Sequence, residues 1–104
     1  MNRITFEERK AVYAAALQKY GVDAQVAKFY EELGEFLTEF GRLLGGADNK
    51  DNVAEELADL TIMLEQLRQI CDINEEVCDH MDYKIVRLRG RISMPDDSEI
   101  KGER

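Results

Sequence analysis

The sequence predicts an all-α fold, a four-helix bundle-like single domain, and three observations carry that prediction. Apolar residues recur at three- and four-residue steps in successive segments, the mark of one buried helical face. The chain's one proline, Pro95, stands near the end, so nothing before it bars a helix. Glycines and short polar stretches divide the segments at Gly21, at Gly45-Gly46 and between Asp72 and Asn74.

The first helix starts at Thr5, which forms a capping-box pattern with Glu8, and runs to about Tyr20, with Gly21 as its stop. Asp23 is placed to cap the second, whose apolar stripe is Val26, Phe29, Tyr30, Leu33, Phe36, Leu37, Phe40 and Leu44; Gly45-Gly46 ends it. The polar loop Ala47-Asp48-Asn49-Lys50-Asp51 leads to a third helix with Val53, Leu57, Leu60, Met63 or Leu64, Leu67 and Ile70 on its apolar face. Helices joined by so short a loop usually pack antiparallel. Asp72 and Asn74 are both candidate caps for a fourth helix, Ile73 and Cys78 a candidate hydrophobic staple, and Val77, Met81, Ile85 and Leu88 its apolar face. The domain is expected over residues 1–92, followed by a flexible, charged tail over 93–104. No internal repeat of solenoid period is present.

Composition bounds the function. A chain of 104 residues with ordinary apolar content is one small domain with an adequate core, not a disordered chain. No apolar run is long enough to cross a bilayer, and the N-terminal stretch from Met1 to Glu8 has no signal-peptide core, so a cytoplasmic protein is expected. A net charge of −8 disfavours nucleic acid polymers and anionic membranes as partners. It would repel a nucleotide too, unless cations stood between carboxylates and phosphates. Cys71 and Cys78 have neither a disulfide-framework nor a zinc-ligand spacing and are expected to be reduced, partly buried thiols.

Two acidic motifs stand out, Glu31-Glu32-Leu33-Gly34-Glu35 and Glu55-Glu56-Leu57-Ala58-Asp59. In each, two acids three positions apart (Glu32 with Glu35, Glu56 with Asp59) lie one helical turn apart and repel each other mildly unless a cation lies between them. At about 100° per residue, Glu56 falls only ~40° from Leu60, the expected middle of the third helix's apolar face, whereas Glu55 lies roughly 140° away. A carboxylate in an apolar stripe is costly unless it is paired or metal-bound, so Glu56 demands a partner. Glu32 falls ~100° from Leu33 and Glu35 about 160°, so Glu32 is expected at a helix seam and Glu35 reaches it only if drawn in. Either motif alone reads as a solvated face, and Asn52 with Glu55 looks like a capping box that accounts for Glu55. Four carboxylates form an all-oxygen set that suits Mg²⁺ or Mn²⁺ better than zinc.

A basic stripe, His80, Lys84, Arg87 and Arg91, recurs at steps of four, three and four on the fourth helix, within ~60° of arc. It is a natural place for phosphates. It equally complements the helix macrodipole with no ligand at all.

From about Gln25 to Ile92 the chain resembles the MazG-like nucleoside triphosphate pyrophosphohydrolases of the all-α NTP pyrophosphatase superfamily. The resemblance rests on the paired Glu-Glu-x-x-acid motifs at Glu31 to Glu35 and Glu55 to Asp59, set on adjacent helices. It implies that Glu32, Glu35, Glu56 and Asp59 are the ligands of Mg²⁺ or Mn²⁺. It also implies that the fourth helix faces the phosphates through Lys84 and Arg87, which the stripe places beside His80 and Arg91; Asp82 is a further candidate for the site, although it points away from that stripe. Many members carry a Lys followed by an Asn where this chain shows His80 and Lys84. The implied reaction cleaves between the α and β phosphates to give a nucleoside monophosphate and pyrophosphate, with Glu31 or Glu35 orienting or deprotonating the attacking water. Such enzymes typically clear modified or surplus nucleotides and work as homodimers or homotetramers, which suits a short chain with much apolar helical surface. Phosphoribosyl-ATP and deoxypyrimidine triphosphates are the alternative substrates in the same superfamily. A non-catalytic helical interaction module and a divalent-cation buffer are the alternatives outside it.

Overall fold

The computed structural model describes residues 3–94, and among them the chain is four α-helices with no strand: α1 (Phe6–Tyr20), α2 (Val22–Leu44), α3 (Lys50–Ile70) and α4 (Asn74–Ser93). The expected all-α class holds. The charged tail expected over 93–104 lies outside the described residues from position 95 onward. The helices α1 to α3 form one compact unit that ends at Asp72, and α4 belongs to a second that begins at Ile73. No described helix is long and apolar enough to cross a membrane.

Local chemistry sets the ends of the first unit's helices. Glu8 N–H donates to the Thr5 hydroxyl (3.1 Å) and Thr5 N–H to Glu8 Oε1 (2.7 Å), the expected capping box, which holds the Glu8 carboxyl below its ordinary range. Gly21 alone joins α1 to α2. Its N–H donates to the Leu17 carbonyl (2.9 Å) while its own carbonyl accepts from Gln25 (3.2 Å). It does so at φ 87°, a conformation that favours glycine. The cap of α2 is therefore Gly21, and Asp23 sits inside the first turn, where its charge complements the helix dipole. After Leu44, Gly46 turns at φ 103°, and its N–H and that of Ala47 close onto the carbonyls of Leu43 and Arg42.

α3 begins at Lys50, capped by Asn49 and not at the expected Asn52. The Asn52–Glu55 capping box does not form, because Asn52 is already inside the helix. Asn49 is buried and ties the loop to α2: its amide donates to the Glu39 carbonyl (3.0 Å) and to Glu39 Oε1 (2.8 Å). With α2 and α3 packed along each other and joined by this short loop, the two helices form an antiparallel hairpin.

α1 packs against both α2 and α3. Its link to α3 is largely polar: Arg9 Nε (2.9 Å) and Tyr13 Oη (2.6 Å) both donate to Glu65 Oε1, Arg9 also reaches Glu65 Oε2 (3.3 Å), and Gln69 donates to the Lys10 carbonyl (3.1 Å). The buried apolar core among the described residues is Tyr13, Leu60 and Met63. Of the two candidates at the third helix's centre, Met63 is buried and Leu64 exposed.

In the second unit, α4 has Ile73 as its cap, without a side-chain capping bond from Asp72 or Asn74. Asp72 instead turns the chain at φ 57°. The expected apolar face of α4 is not buried: Val77 is half-buried, and Met81, Ile85 and Leu88 are exposed. Cys71 and Cys78 are both exposed thiols, not partly buried ones, since Cys71 caps the end of α3 and Cys78 stands on a helix with no buried residue.

Candidate metal centre

Helix α2 carries two adjacent stripes that both contain large apolar residues, and only one of them faces its neighbouring helices. Gln25, Phe29, Glu32, Phe36, Glu39 and Leu43, at alternating steps of four and three, are buried or half-buried. Tyr30, Leu37, Phe40 and Leu44, one residue further on, are exposed, Leu37 at 58% and Leu44 at 73%. The expected stripe mixed members of the two with Val26 and Leu33, which are half-buried. Removing its exposed members rotates the buried face onto Glu32, which is 5% exposed. On α3 the buried line runs Leu60, Met63 and Gln66, and Glu56 lies half-buried at its edge. The order expected from the helical wheel is thus reversed: Glu32, not Glu56, is the deeply buried acid.

Glu32, Glu35 and Glu56 each offer a carboxylate oxygen, and these three atoms lie within 4.8 Å of one another. Two helices supply them, α2 giving Glu32 and Glu35 and α3 giving Glu56. Two of the three, Glu35 and Glu56, have raised carboxyls. Partial loss of water, then the charges of Glu32 and Glu31, push the Glu35 carboxyl up, although the residue as a whole is exposed. Burial, then the charges of Glu35, Asp59, Glu32 and Glu55, push Glu56 up in the same direction. Glu35 thus lies beside Glu32 and Glu56 at the helix seam while remaining exposed. Asp59 is half-buried and close enough to act on Glu56, yet it stands outside the three-oxygen group.

Glu32 is finished on one side only. Lys28, one turn earlier on α2, sets its ammonium 2.9 Å from Glu32 Oε2 and 3.3 Å from Glu31 Oε1. Donating to Glu32 first and Glu31 second raises the Lys28 pKa. Glu32 Oε1 is buried with no hydrogen-bond partner among the described residues. A buried carboxylate oxygen left without a donor is costly, and a cation removes that cost. The donor set fits a hard divalent cation: oxygens only, three converging carboxylates, and one orphaned lone-pair site. Mg²⁺ or Mn²⁺ would be held by Glu32, Glu35 and Glu56.

Beside this group opens a cavity of about 410 Å³ lined by Tyr30, Glu31, Gly34, Glu35, Thr38, Glu39 and Glu56. At Gly34 the wall faces open space, where a Cβ would meet nothing within 4 Å. Glu31 is exposed and paired with Lys28, and Glu55 is exposed. Glu39 was not anticipated from the sequence. Asn49 above all holds its carboxyl low, against burial, which pushes it up, and with further help from Arg42. Its signal was legible only as another acid one turn past Glu35; the partner Asn49 is supplied by the loop.

The basic stripe lies on α4, in the second unit: His80, Lys84 and Arg87 are exposed and Arg91 is half-buried. The Arg87 guanidinium lies over the Tyr83 ring, 5.6 Å from its centroid. No protein-family model matches the chain, no curated protein matches it, and no solved structure matches it.

Proposed function

We propose that this chain is a divalent-cation-dependent nucleoside triphosphate pyrophosphohydrolase, converting a nucleoside triphosphate and water to a nucleoside monophosphate and pyrophosphate. One observation carries the reading: three carboxylates from two helices converge within 4.8 Å, one of them buried with an unpartnered oxygen, beside an open cavity. The resemblance of the paired acidic motifs to MazG-like enzymes supplies the reaction type. Glu32, Glu35 and Glu56 hold Mg²⁺ or Mn²⁺, with Asp59 as a fourth, outer carboxylate. The bound cation supplies charge neutralisation for phosphate oxygens and acidifies an attacking water.

Glu31 and Glu35 line the cavity and are the candidates to orient that water or take its proton. Lys84 and Arg87, with His80 and Arg91, are the proposed phosphate contacts, by the resemblance. A homodimer or homotetramer and a cytoplasmic setting belong to the same proposal. The exposed α2 stripe of Tyr30, Leu37, Phe40 and Leu44 supports the oligomer, because monomers rarely leave so many large apolar side chains in water.

The test is pyrophosphate release across standard and modified triphosphates, phosphoribosyl-ATP and deoxypyrimidine triphosphates, with Mg²⁺ and Mn²⁺ compared. At least one nucleotide is expected to yield pyrophosphate in a strictly cation-dependent way. If none does, and Glu56→Gln leaves metal affinity unchanged, the enzyme reading fails. The same exposed stripe then favours the second reading, a non-catalytic helical interaction module.

A further inference from the structure

Resting on the metal-centre reading above, we infer that Lys28 is a positioning residue for the cation: it clamps Glu32 Oε2 so that Oε1 is presented as the ligand atom. The observation is the asymmetry of one carboxylate. Oε2 is engaged by an ammonium at 2.9 Å, and Oε1 is buried and unpartnered. An exposed i,i+4 ion pair is worth little, because water competes for both groups. Here the Lys28 side chain is 51% exposed but that of Glu32 only 7%, so water competes at one end alone.

The same ammonium divides the adjacent acids Glu31 and Glu32 between two roles. Its 3.3 Å contact pairs it with Glu31, which is exposed, while its 2.9 Å contact holds Oε2 of the buried Glu32. Without Lys28, Glu32 is free to turn about its terminal torsion, and either oxygen, or neither, meets the incoming ion. Ligating carboxylates are commonly oriented by such outer partners, and losing one typically weakens metal affinity about 10–100-fold.

Simple electrostatics predicts the opposite sign, which makes the inference testable. A lysine that only adds positive charge near the site repels a cation, so removing it would tighten binding. The experiment is Mn²⁺ titration of the purified full chain, followed by electron paramagnetic resonance or calorimetry, for the wild type, Lys28→Met, Lys28→Gln and Lys28→Arg. Circular dichroism checks that each variant is folded. Lys28→Met is expected to weaken Mn²⁺ binding about 10–100-fold, and Lys28→Arg to restore it to within a few-fold of the wild type. Lys28→Gln, which keeps a donor without the charge, guards against misfolding of the methionine variant and is expected to fall between them. Unchanged or tighter binding in Lys28→Met, or no rescue by arginine, overturns this role while leaving the metal centre standing. A wild type that binds no Mn²⁺ and releases no pyrophosphate overturns both.

Discussion

Glu65 and Glu32 are both acids drawn in between packed helices, and they are completed in opposite ways. Glu65 receives the Tyr13 hydroxyl at 2.6 Å and two nitrogens of Arg9 at 2.9 and 3.3 Å. Burial pushes its carboxyl up, but the Tyr13 and Arg9 donors outweigh that and hold it below the ordinary range. Burial first, then Glu65 as acceptor, lift the Tyr13 hydroxyl to about 12. Glu32 receives one lysine, keeps one orphaned oxygen, and stands against two further acids whose carboxyls are both pushed up. A satisfied carboxylate ties helices together. An unsatisfied one, surrounded by its own kind, is a cost to the fold, and the proposed cation is what would offset it.

The contrast is easiest to break at Glu32. Glu32→Gln is expected to lower Mn²⁺ affinity by at least the ~10–100-fold that loss of an outer-sphere partner costs, and pyrophosphate release with it. Thermal melting of the metal-free protein should stay level or rise, since a repelling charge is gone. A large fall in melting temperature with metal affinity intact would make Glu32 a structural residue like Glu65.

The reciprocal change is Tyr13→Phe, which removes the 2.6 Å bond to Glu65. Bonds to charged groups are worth about 1.5–3 kcal/mol, so urea unfolding should show a loss of that order. Mn²⁺ affinity should be untouched, and a matching loss of metal binding would show that the two acids do not act separately.

The smallest effect is in pH dependence, where the two regions pull in opposite directions. The Glu65 carboxyl is lowered from an ordinary value of 4.5, so its stabilisation is complete above that value and is lost as pH falls through the lowered one. Glu35 and Glu56 are raised from 4.5, so the folded chain binds extra protons just above that pH, and stability declines as pH rises through their window. Metal-free melting temperature should therefore pass through a shallow maximum near the ordinary carboxylate range. Saturating Mg²⁺ should remove the upper slope, because ligation requires the deprotonated forms. A curve that rises steadily with pH in the metal-free protein would contradict the clustered acids.

Much of this was written in local chemistry. The Thr5–Glu8 box, the stops at Gly21 and Gly45-Gly46, and the placing of the two acidic motifs on consecutive helices need only neighbours a few residues away. Other features turned on distant partners. Asn49 rather than Asn52 begins α3 because Glu39, ten residues back, receives the Asn49 amide. The roles of Glu65 and Glu39 likewise rest on Arg9, Tyr13 and Asn49, partners that no local pattern marks.

The sequence by itself determined the four helices, the capping box that starts α1, the stops at Gly21 and Gly45-Gly46, and the one-turn spacing of Glu32 with Glu35 and of Glu56 with Asp59. Tertiary structure decided which way each helix is turned. A helix with two adjacent apolar stripes can bury either, because the 3.6-residue period sets angles between side chains but not the rotation of the whole helix against its partner. Packing on α3 selected the stripe of Phe29 and Phe36 over that of Tyr30 and Leu37. That rotation buried Glu32, brought Glu35 alongside Glu56, and left Asp59 just outside.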